Sequence, residues 1–350
     1  MLNSGVAPRA SRRQFIGGAV ALGSAGVLAA AFRSFNATPA STGSALLATP
    51  TTLPAPTLEP FITPIKDFYR IDTAFEIPQV DASTWTLRIH GMVDTEKRLT
   101  LDDINSLPQV TNDITMGCVS NEVGGNLIGT AQWGGVLLAD VLRSCGVQPG
   151  AQQLVSRSVD GWTCGTPVDA IMDGRPAMLV TTMNGEPLIP KHGFPVRIVV
   201  PGLFGYVSAT KWVNEIELTT WNAFDAYWID RGWAKEGPML SSSRIDLPRN
   251  GAQIKTGPLM IAGFAWAPRA GVKSVDVRID DGPWLPAQIE KSPTGDTWCQ
   301  WRLNWTATSG QHIFTTRVTD AKGVVQDEEI RPVEPSGATG YHSIGVECIY

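Results

Sequence analysis

Ile114-Thr-Met-Gly-Cys118-Val-Ser-Asn121-Glu122-Val-Gly-Gly-Asn-Leu-Ile-Gly-Thr-Ala-Gln-Trp133-Gly-Gly-Val-Leu-Leu138 is the stretch around which the rest of the chain is organised. A short apolar run delivers a cysteine into a loop rich in glycine and polar residues. Glycines let backbone approach a ligand closely, and irregular segments held by a rigid scaffold often carry function. Cys118 stands where a strand gives out. A thiolate there can be a nucleophile, a redox thiol or a soft metal ligand. A plain buried thiol is the competing reading. The amphipathic run from Val136 to Leu142 predicts a helix near 136–145, with Gly146 as its left-handed C-terminal cap.

The chain of 350 residues is long enough for a sizeable core and more than one domain. Hydrophobic residues make up 43% and charged residues 17%, which excludes a disordered polyelectrolyte. The net charge is −5 and no basic cluster forms a nucleic-acid stripe. The four histidines, His90, His192, His312 and His342, lack helical metal spacing, which argues against a zinc hydrolase. No Cys-x-x-Cys-His and no four-cysteine cluster is present, so haem attachment and iron–sulfur ligation are not encoded. The five cysteines are Cys118, Cys145, Cys164, Cys299 and Cys348; in an exported protein at least one stays unpaired, and Cys299 with Cys348 is a conceivable bridge.

Ser11-Arg12-Arg13-Gln14-Phe15-Ile16 reads as a twin-arginine export signature ahead of a weakly apolar run, Phe15 to Phe32. The run is only marginally long for a membrane span, so residues 1–34 are expected to be a signal and possible membrane anchor. Export by this route implies a periplasmic or cell-envelope protein. Residues 35–60, rich in Ala, Thr, Pro and Ser, predict an extended linker. The folded part then begins near Phe61.

Trp85 to Gly91 alternates as a strand, and Thr100 with Asp103 predicts a capped short helix. Leu154 to Val159, Met178 to Met183, Val196 to Val200 and Ile216 to Thr219 predict strands. Pro167 to Met172 predicts a short helix, and Asn184-Gly185 a hairpin turn. This mixture predicts an α+β domain over 61–222. Periodicity is lost over the connector 223–256. Beyond it, 257–350 holds about five alternating segments with turns, which predicts an immunoglobulin-like β-sandwich.

The Cys118 loop resembles the molybdenum-ligating loop of the sulfite oxidase family of molybdopterin enzymes. Flanking matches follow in order: Asp67-Phe-Tyr-Arg-Ile-Asp72, Asn184-Gly-Glu-Pro-Leu, Lys191-His192-Gly-Phe-Pro-Val-Arg197 and Thr210-Lys211-Trp212. The resemblance runs from about Asp67 to the C-terminus. It implies a Mo-molybdopterin cofactor, with Cys118 as the metal's protein ligand. Phe68, Tyr69, Arg70, Ile71 and Asp72 match the first pterin-contacting segment. The family commonly has Arg-Asn-His where this chain has Arg70-Ile71-Asp72, so the resemblance does not carry over the hydrogen bonds at Ile71 and Asp72. Asp160 matches a pterin-contacting aspartate, and His192 and Arg197 match a histidine and an arginine that hold the cofactor. Ser208, Ala209, Thr210 and Lys211 match the segment at the pterin phosphate. Cys118 and Arg70 are the residues the resemblance places in catalysis.

What the resemblance implies is two-electron oxygen-atom transfer on a small substrate, as sulfite-type oxidation or sulfoxide-type reduction. With no haem motif, electrons would pass to an external carrier, a cytochrome or a quinone-linked pathway. The family's C-terminal domain implies a homodimer through 257–350. Sulfite-oxidising members have an arginine soon after the cysteine; here the same region holds Glu122, a carboxylate that would repel a dianion if buried. The alternative is a membrane-tethered binding module with an inactive enzyme-like domain.

Overall fold

The computed structural model describes residues 58–350. The export signature, the apolar run and nearly all of the linker lie outside the described residues. Among the described residues no helix is long and apolar enough to cross a membrane.

The first part contains strands β1 (Thr86–Gly91), β2 (Lys97–Thr100), β3 (Val110–Gly117), β4 (Ile128–Leu137), β5 (Gln153–Ser158), β6 (Thr163–Pro167), β7 (Met178–Met183), β8 (Glu186–Pro187), β9 (Arg197–Val199) and β10 (Val213–Thr219). Between them lie helices α1 (Leu101–Ser106), α2 (Leu138–Arg143) and α3 (Val168–Met172). One sheet runs β2-β1-β10-β5-β6 and a second β3-β4-β7-β8, with β9 also on β7. Strand β1 buries Leu87 and Ile89 and turns Arg88 and His90 outward, as its alternation predicts. Helix α1 opens with a capping box: Thr100 Oγ1 accepts from the Asp103 N–H (3.1 Å) and Asp103 accepts from the Thr100 N–H (2.8 Å). Such a cap contributes about 1 kcal/mol. The β7–β8 turn places Asn184 and Gly185 at φ 54° and 80°, the backbone a tight hairpin needs.

The helix expected near 136–145 is shorter than its pattern. Val136 and Leu137 pair with Leu179 and Met178 of β7, so strand β4 claims them and α2 begins at Leu138. Sheet pairing outweighs local periodicity here. The three helices have five or six residues each, so strands carry the architecture.

The second part contains β11 (Ser242–Leu247), β12 (Gln253–Lys255), β13 (Gly257–Trp266), β14 (Val272–Ile279), β15 (Trp284–Pro286), β16 (Gln288–Ile289), β17 (Cys299–Ala307), β18 (Gly310–Asp320) and β19 (His342–Ile349). They form two sheets, β11-β13-β17-β16 and β12-β19-β18-β14-β15. Ile261, Trp301, Phe314 and Val346 fill the space between them, which makes this part a β-sandwich. Strands β11 and β12 fall inside the stretch expected to be a connector. Strand β11 buries Ser243 and Arg244, so no apolar alternation reveals it, and β12 is only three residues long. All five cysteines are free thiols, Cys299 and Cys348 included.

The two parts share a core. Phe264, Trp266 and Trp298 of the sandwich belong to the same buried cluster as Leu87, Leu138 and Val213. Phe264 and Trp298 stack with ring centroids 4.0 Å apart. The Trp298 backbone N–H donates to Thr115 Oγ1 (2.7 Å), and the Thr115 N–H donates to Asp296 O (2.9 Å). Strand β3, which leads to Cys118, is therefore fastened to the sandwich.

Candidate active site

Cys118 follows the last residue of β3. Its N–H donates to Leu127 O (2.9 Å), and Asn121 Oδ1 accepts from the Leu127 N–H (2.7 Å). The glycine-rich segment between is thus a closed loop across the mouth of the β3–β4 pair. The half-buried thiol faces a pocket that opens to solvent and is walled largely by aromatic and polar side chains.

Around the cavity, each wall has a clear origin. Phe68 and Tyr69 come from the segment entering the fold, which is tied down where the Thr63 N–H donates to Thr130 O (2.7 Å). The Phe68 ring packs edge-on to Trp133 and His192, with centroids 5.6 and 5.9 Å away. His192 ends the single turn Pro190–His192; its Nε2 donates to Ile65 O (3.1 Å). Burial, with Arg197, Lys191 and Lys211 nearby, drives its pKa down to about 4, so the ring is neutral. Arg197 opens β9, buried, with its guanidinium 4.9 Å from the Trp133 ring centroid. Its Nη1 donates to His192 O (3.1 Å), and burial lowers its pKa to about 10.

Lys211 is brought in where Gly193, at φ 106°, lets two loops touch: a Cβ on that glycine would lie 3.1 Å from the Lys211 Cα. The Lys211 ammonium is 2.5 Å from Asp72 Oδ2, with both side chains nearly buried. Burial lowers its pKa to about 8 against the opposing pull of Asp72. Burial works against the Asp72 carboxylate, but hydrogen bonds from Lys211 and Arg70 hold it below its ordinary range. Burial also pushes the Cys118 thiol up, partly offset by hydrogen bonds from Ser120, so binding a metal there releases a proton. The Tyr69 phenol is pushed above its ordinary range by burial and by Cys118, and stays protonated as a donor.

The expected residues divide. Phe68, Tyr69, Ile71, Asp72, Cys118, Asp160, His192, Arg197, Ala209 and Lys211 line the cavity. Arg70, Ser208 and Thr210 do not. The Arg70 guanidinium turns back onto Asp72 at 2.7 Å and is 37% exposed. Ser208 Oγ donates to the carbonyls of Leu203 and Phe204, and Thr210 Oγ1 shares a hydrogen bond with Ser156 Oγ. Their hydroxyls are already engaged by the fold. Glu122 is exposed and borders a smaller cleft on the other side of the Cys118 loop. The electrostatic objection to a dianion required a buried carboxylate, and this one does not line the main cavity.

The cavity also has walls the sequence did not announce: Met116, Ser158, Trp162, Tyr206, Trp228 and Trp233. Trp228 and Trp233 come from the stretch without periodicity. It is pinned by Tyr206 Oη donating to Ala234 O (2.7 Å) and the Phe204 N–H donating to Gly237 O (2.7 Å). The clustering of tryptophans in 221–233 was the only local signal.

Two buried polar atoms at this cavity, Arg197 Nε and Ser158 Oγ, have no hydrogen-bond partner. Buried donors of this kind normally have one, and a guanidinium favours an anionic or carbonyl-bearing ligand. With a thiol at one wall able to take a soft metal, these groups fit a ligand that carries both a metal and hydrogen-bonding edges, as a pterin–molybdenum cofactor does.

The profile of the Oxidoreductase molybdopterin binding domain family matches residues 74–228. The uncharacterized oxidoreductase YuiH of Bacillus subtilis (strain 168) is 30% identical over 165 residues, 47% of this chain and 80% of that protein. Mitochondrial sulfite oxidase of Homo sapiens is 28% identical over 326 residues, 79% of this chain.

The chain belongs to the sulfite oxidase family of molybdopterin-dependent oxidoreductases.

Its cofactor is accordingly Mo-molybdopterin. The chain spans 59% of the length of the human sulfite oxidase. The solved structure of the sulfane dehydrogenase SoxCD from Paracoccus pantotrophus shares the fold, with a TM-score of 0.72 over 83% of this chain and 82% of that one, at 23% identity. The sulfite-oxidase-like fold therefore extends across the sandwich as well as the cofactor-binding part.

Proposed function

We propose that this protein is an exported molybdenum-cofactor oxidoreductase that carries out two-electron oxygen-atom transfer on a small substrate and exchanges electrons with an external carrier. The observation that carries the reading is the meeting of the Cys118 thiol with two unpartnered buried polar groups, Arg197 Nε and Ser158 Oγ, around one cavity. A binding module with an inactive domain has no need of a buried Arg197 Nε–H and Ser158 Oγ left without partners, which are costly to keep without a ligand.

In this reading Cys118 supplies the protein thiolate, and the bound cofactor supplies the two-electron chemistry. Arg197 and the neutral His192 hold the pterin from the β9 side, and Asp160 reaches it from the β5–β6 turn. Lys211 serves the phosphate end, with the adjacent backbone of Ser208, Ala209 and Thr210. Arg70 acts indirectly by fixing the Asp72 carboxylate that positions Lys211. Tyr69 and Tyr206, with Trp162, Trp228 and Trp233, exclude water from the remaining space, where a small oxyanion or sulfoxide would sit. Residues 61–222 are then the catalytic domain and 257–350 an immunoglobulin-like dimerisation domain, to which β11 and β12 add strands. The twin-arginine signature supports export after folding, to the periplasm or cell envelope, with a membrane tether if the signal is retained. The electron carrier would be a cytochrome or quinone-linked protein.

The test is elemental analysis and pterin fluorescence on purified protein, followed by turnover of sulfite and of S- and N-oxides with an artificial electron carrier. One molybdenum and one pterin per chain are expected, with turnover lost in Cys118→Ser. Protein purified from a molybdenum-replete host without either component refutes the reading.

A further inference from the structure

The closed Cys118 loop rests on the sandwich at two points. Arg244 of β11 donates from Nη1 to the Gly125 carbonyl (2.8 Å). Its guanidinium is held in place by Asp246, with Nε–Oδ1 2.6 Å and Nη2–Oδ2 3.2 Å, and its side chain is only 5% exposed. The second point is His342, the first residue of β19. Gly124, at φ 77°, lies so close to its ring that a Cβ there would fall 2.3 Å from both Cδ2 and Nε2. The ring is fixed in turn, because His342 Nδ1 accepts from the Ile245 backbone N–H (2.9 Å). Arg244 and Ile245 are neighbours on β11, so one strand fixes both contacts.

We propose that Arg244 and His342 are positioning residues that hold the Cys118 loop, and with it the sulfur of Cys118, against the cavity. The sandwich then completes the site from behind and does more than accompany it. The consequence for the cofactor rests on the reading of Cys118 as the metal's ligand. The seat itself rests only on the contacts above. The guanidinium is well suited to this task. Its fork satisfies the Asp246 carboxylate with two nitrogens and leaves the third for a carbonyl. Glycine at 124 is required twice over, by the left-handed backbone and by the ring beneath it.

The experiment is hydrogen exchange by mass spectrometry on the purified full-length holoprotein, comparing wild type with Arg244→Met and His342→Asn. Asparagine can place an acceptor where His342 Nδ1 lies, keeping the Ile245 contact while removing the outer ring atoms under Gly124. The amides of Cys118, Asn121, Gly125 and Leu127 are expected to exchange about ten-fold faster in each variant, the loss of roughly one charge-assisted hydrogen bond or its equivalent. Peptides from β13 and β17 should keep wild-type rates. Retained molybdenum and the sulfur count of its x-ray absorption spectrum should fall in parallel. Loop rates unchanged in His342→Asn overturn the proposal, as does equal acceleration of loop and sandwich, which marks a general structural role. If Arg244→Met does not fold, His342→Asn decides alone. Wild type lacking molybdenum refutes the enzymatic reading, while the exchange rates still decide the seat.

Discussion

Replacing Asp72 by alanine strips the Lys211 ammonium of the carboxylate 2.5 Å away. Both side chains are over nine-tenths buried, so the lysine left behind has little water to turn to. Breaking a buried pair by removing one partner costs about 3–5 kcal/mol. Loss of the Arg70 contact adds little, since that guanidinium is 37% exposed and water replaces the bond. The lysine can escape part of the cost by losing its proton. Its folded pKa, already lowered by burial from 10.5 to about 8, falls further without Asp72. A base whose pKa is depressed on folding contributes stability that is complete above its unfolded pKa and lost as pH falls toward its folded one. In wild type that loss runs from 10.5 down to about 8; in Asp72→Ala it continues below 8. The difference between the two proteins therefore grows as pH falls below about 8, by up to about 1.4 kcal/mol per pH unit, and is constant above it. Urea unfolding of both proteins at matched cofactor content, at pH 6, 7, 8 and 9, measures this. A deficit of about 3 kcal/mol or more at pH 6 that shrinks to a plateau by pH 8 is expected. A deficit independent of pH, or one that grows with pH, refutes the claim that an uncompensated ammonium is its source.

Acid should destabilise the protein through the buried His192 and the half-buried His342. His192 and His342 both have folded pKa values of about 4, each lowered chiefly by burial, so their contribution is complete above 6.5 and lost as pH falls toward 4, at most about 3 kcal/mol each. His342→Asn should flatten the acid limb of a stability–pH curve; an unchanged limb contradicts the assignment. Cys118→Ser should leave the free energy of urea unfolding within about 1 kcal/mol of wild type in cofactor-free protein. The same variant should lose the protein sulfur from the molybdenum x-ray absorption spectrum, and an unaltered spectrum removes Cys118 from the metal. Trp298→Phe deletes the indole N–H donated to Phe61 O (2.8 Å) and part of the stack on Phe264, for a loss of about 2 kcal/mol in thermal or urea unfolding; no loss means that this link between the entering segment and the sandwich is idle. Five thiols should react with a thiol reagent in denaturant without prior reduction, because all five cysteines are free.

Much of this protein was legible along the chain because local chemistry dictates it. The Thr100–Asp103 cap, the Asn184-Gly185 turn and the alternation of Trp85 to Gly91 each draw on neighbours within a few residues, and all three stand as read. Cys118 at a strand end, with His192, Arg197 and Lys211 further on, marked the cavity because ordered polar residues at those places match a family. Tertiary structure alone decided the rest. Val136 and Leu137 join a strand because β7 lies alongside. Strand β11 exists although its buried residues include Ser243 and Arg244, since Gln326 accepts from Ser243 while Asp246 and the Gly125 carbonyl accept from Arg244. Arg70 and Glu122, prominent in the sequence, do not line the main cavity, whereas Ser158, which nothing local distinguishes, and Trp228 and Trp233, marked only by a clustering of tryptophans, do. The physical reason is range. Caps, turns and alternation are settled within a few residues, while a cavity wall and the seat beneath the Cys118 loop are settled by groups far apart along the chain, 119 positions for Arg244 and Gly125 and 97 for Ile245 and His342.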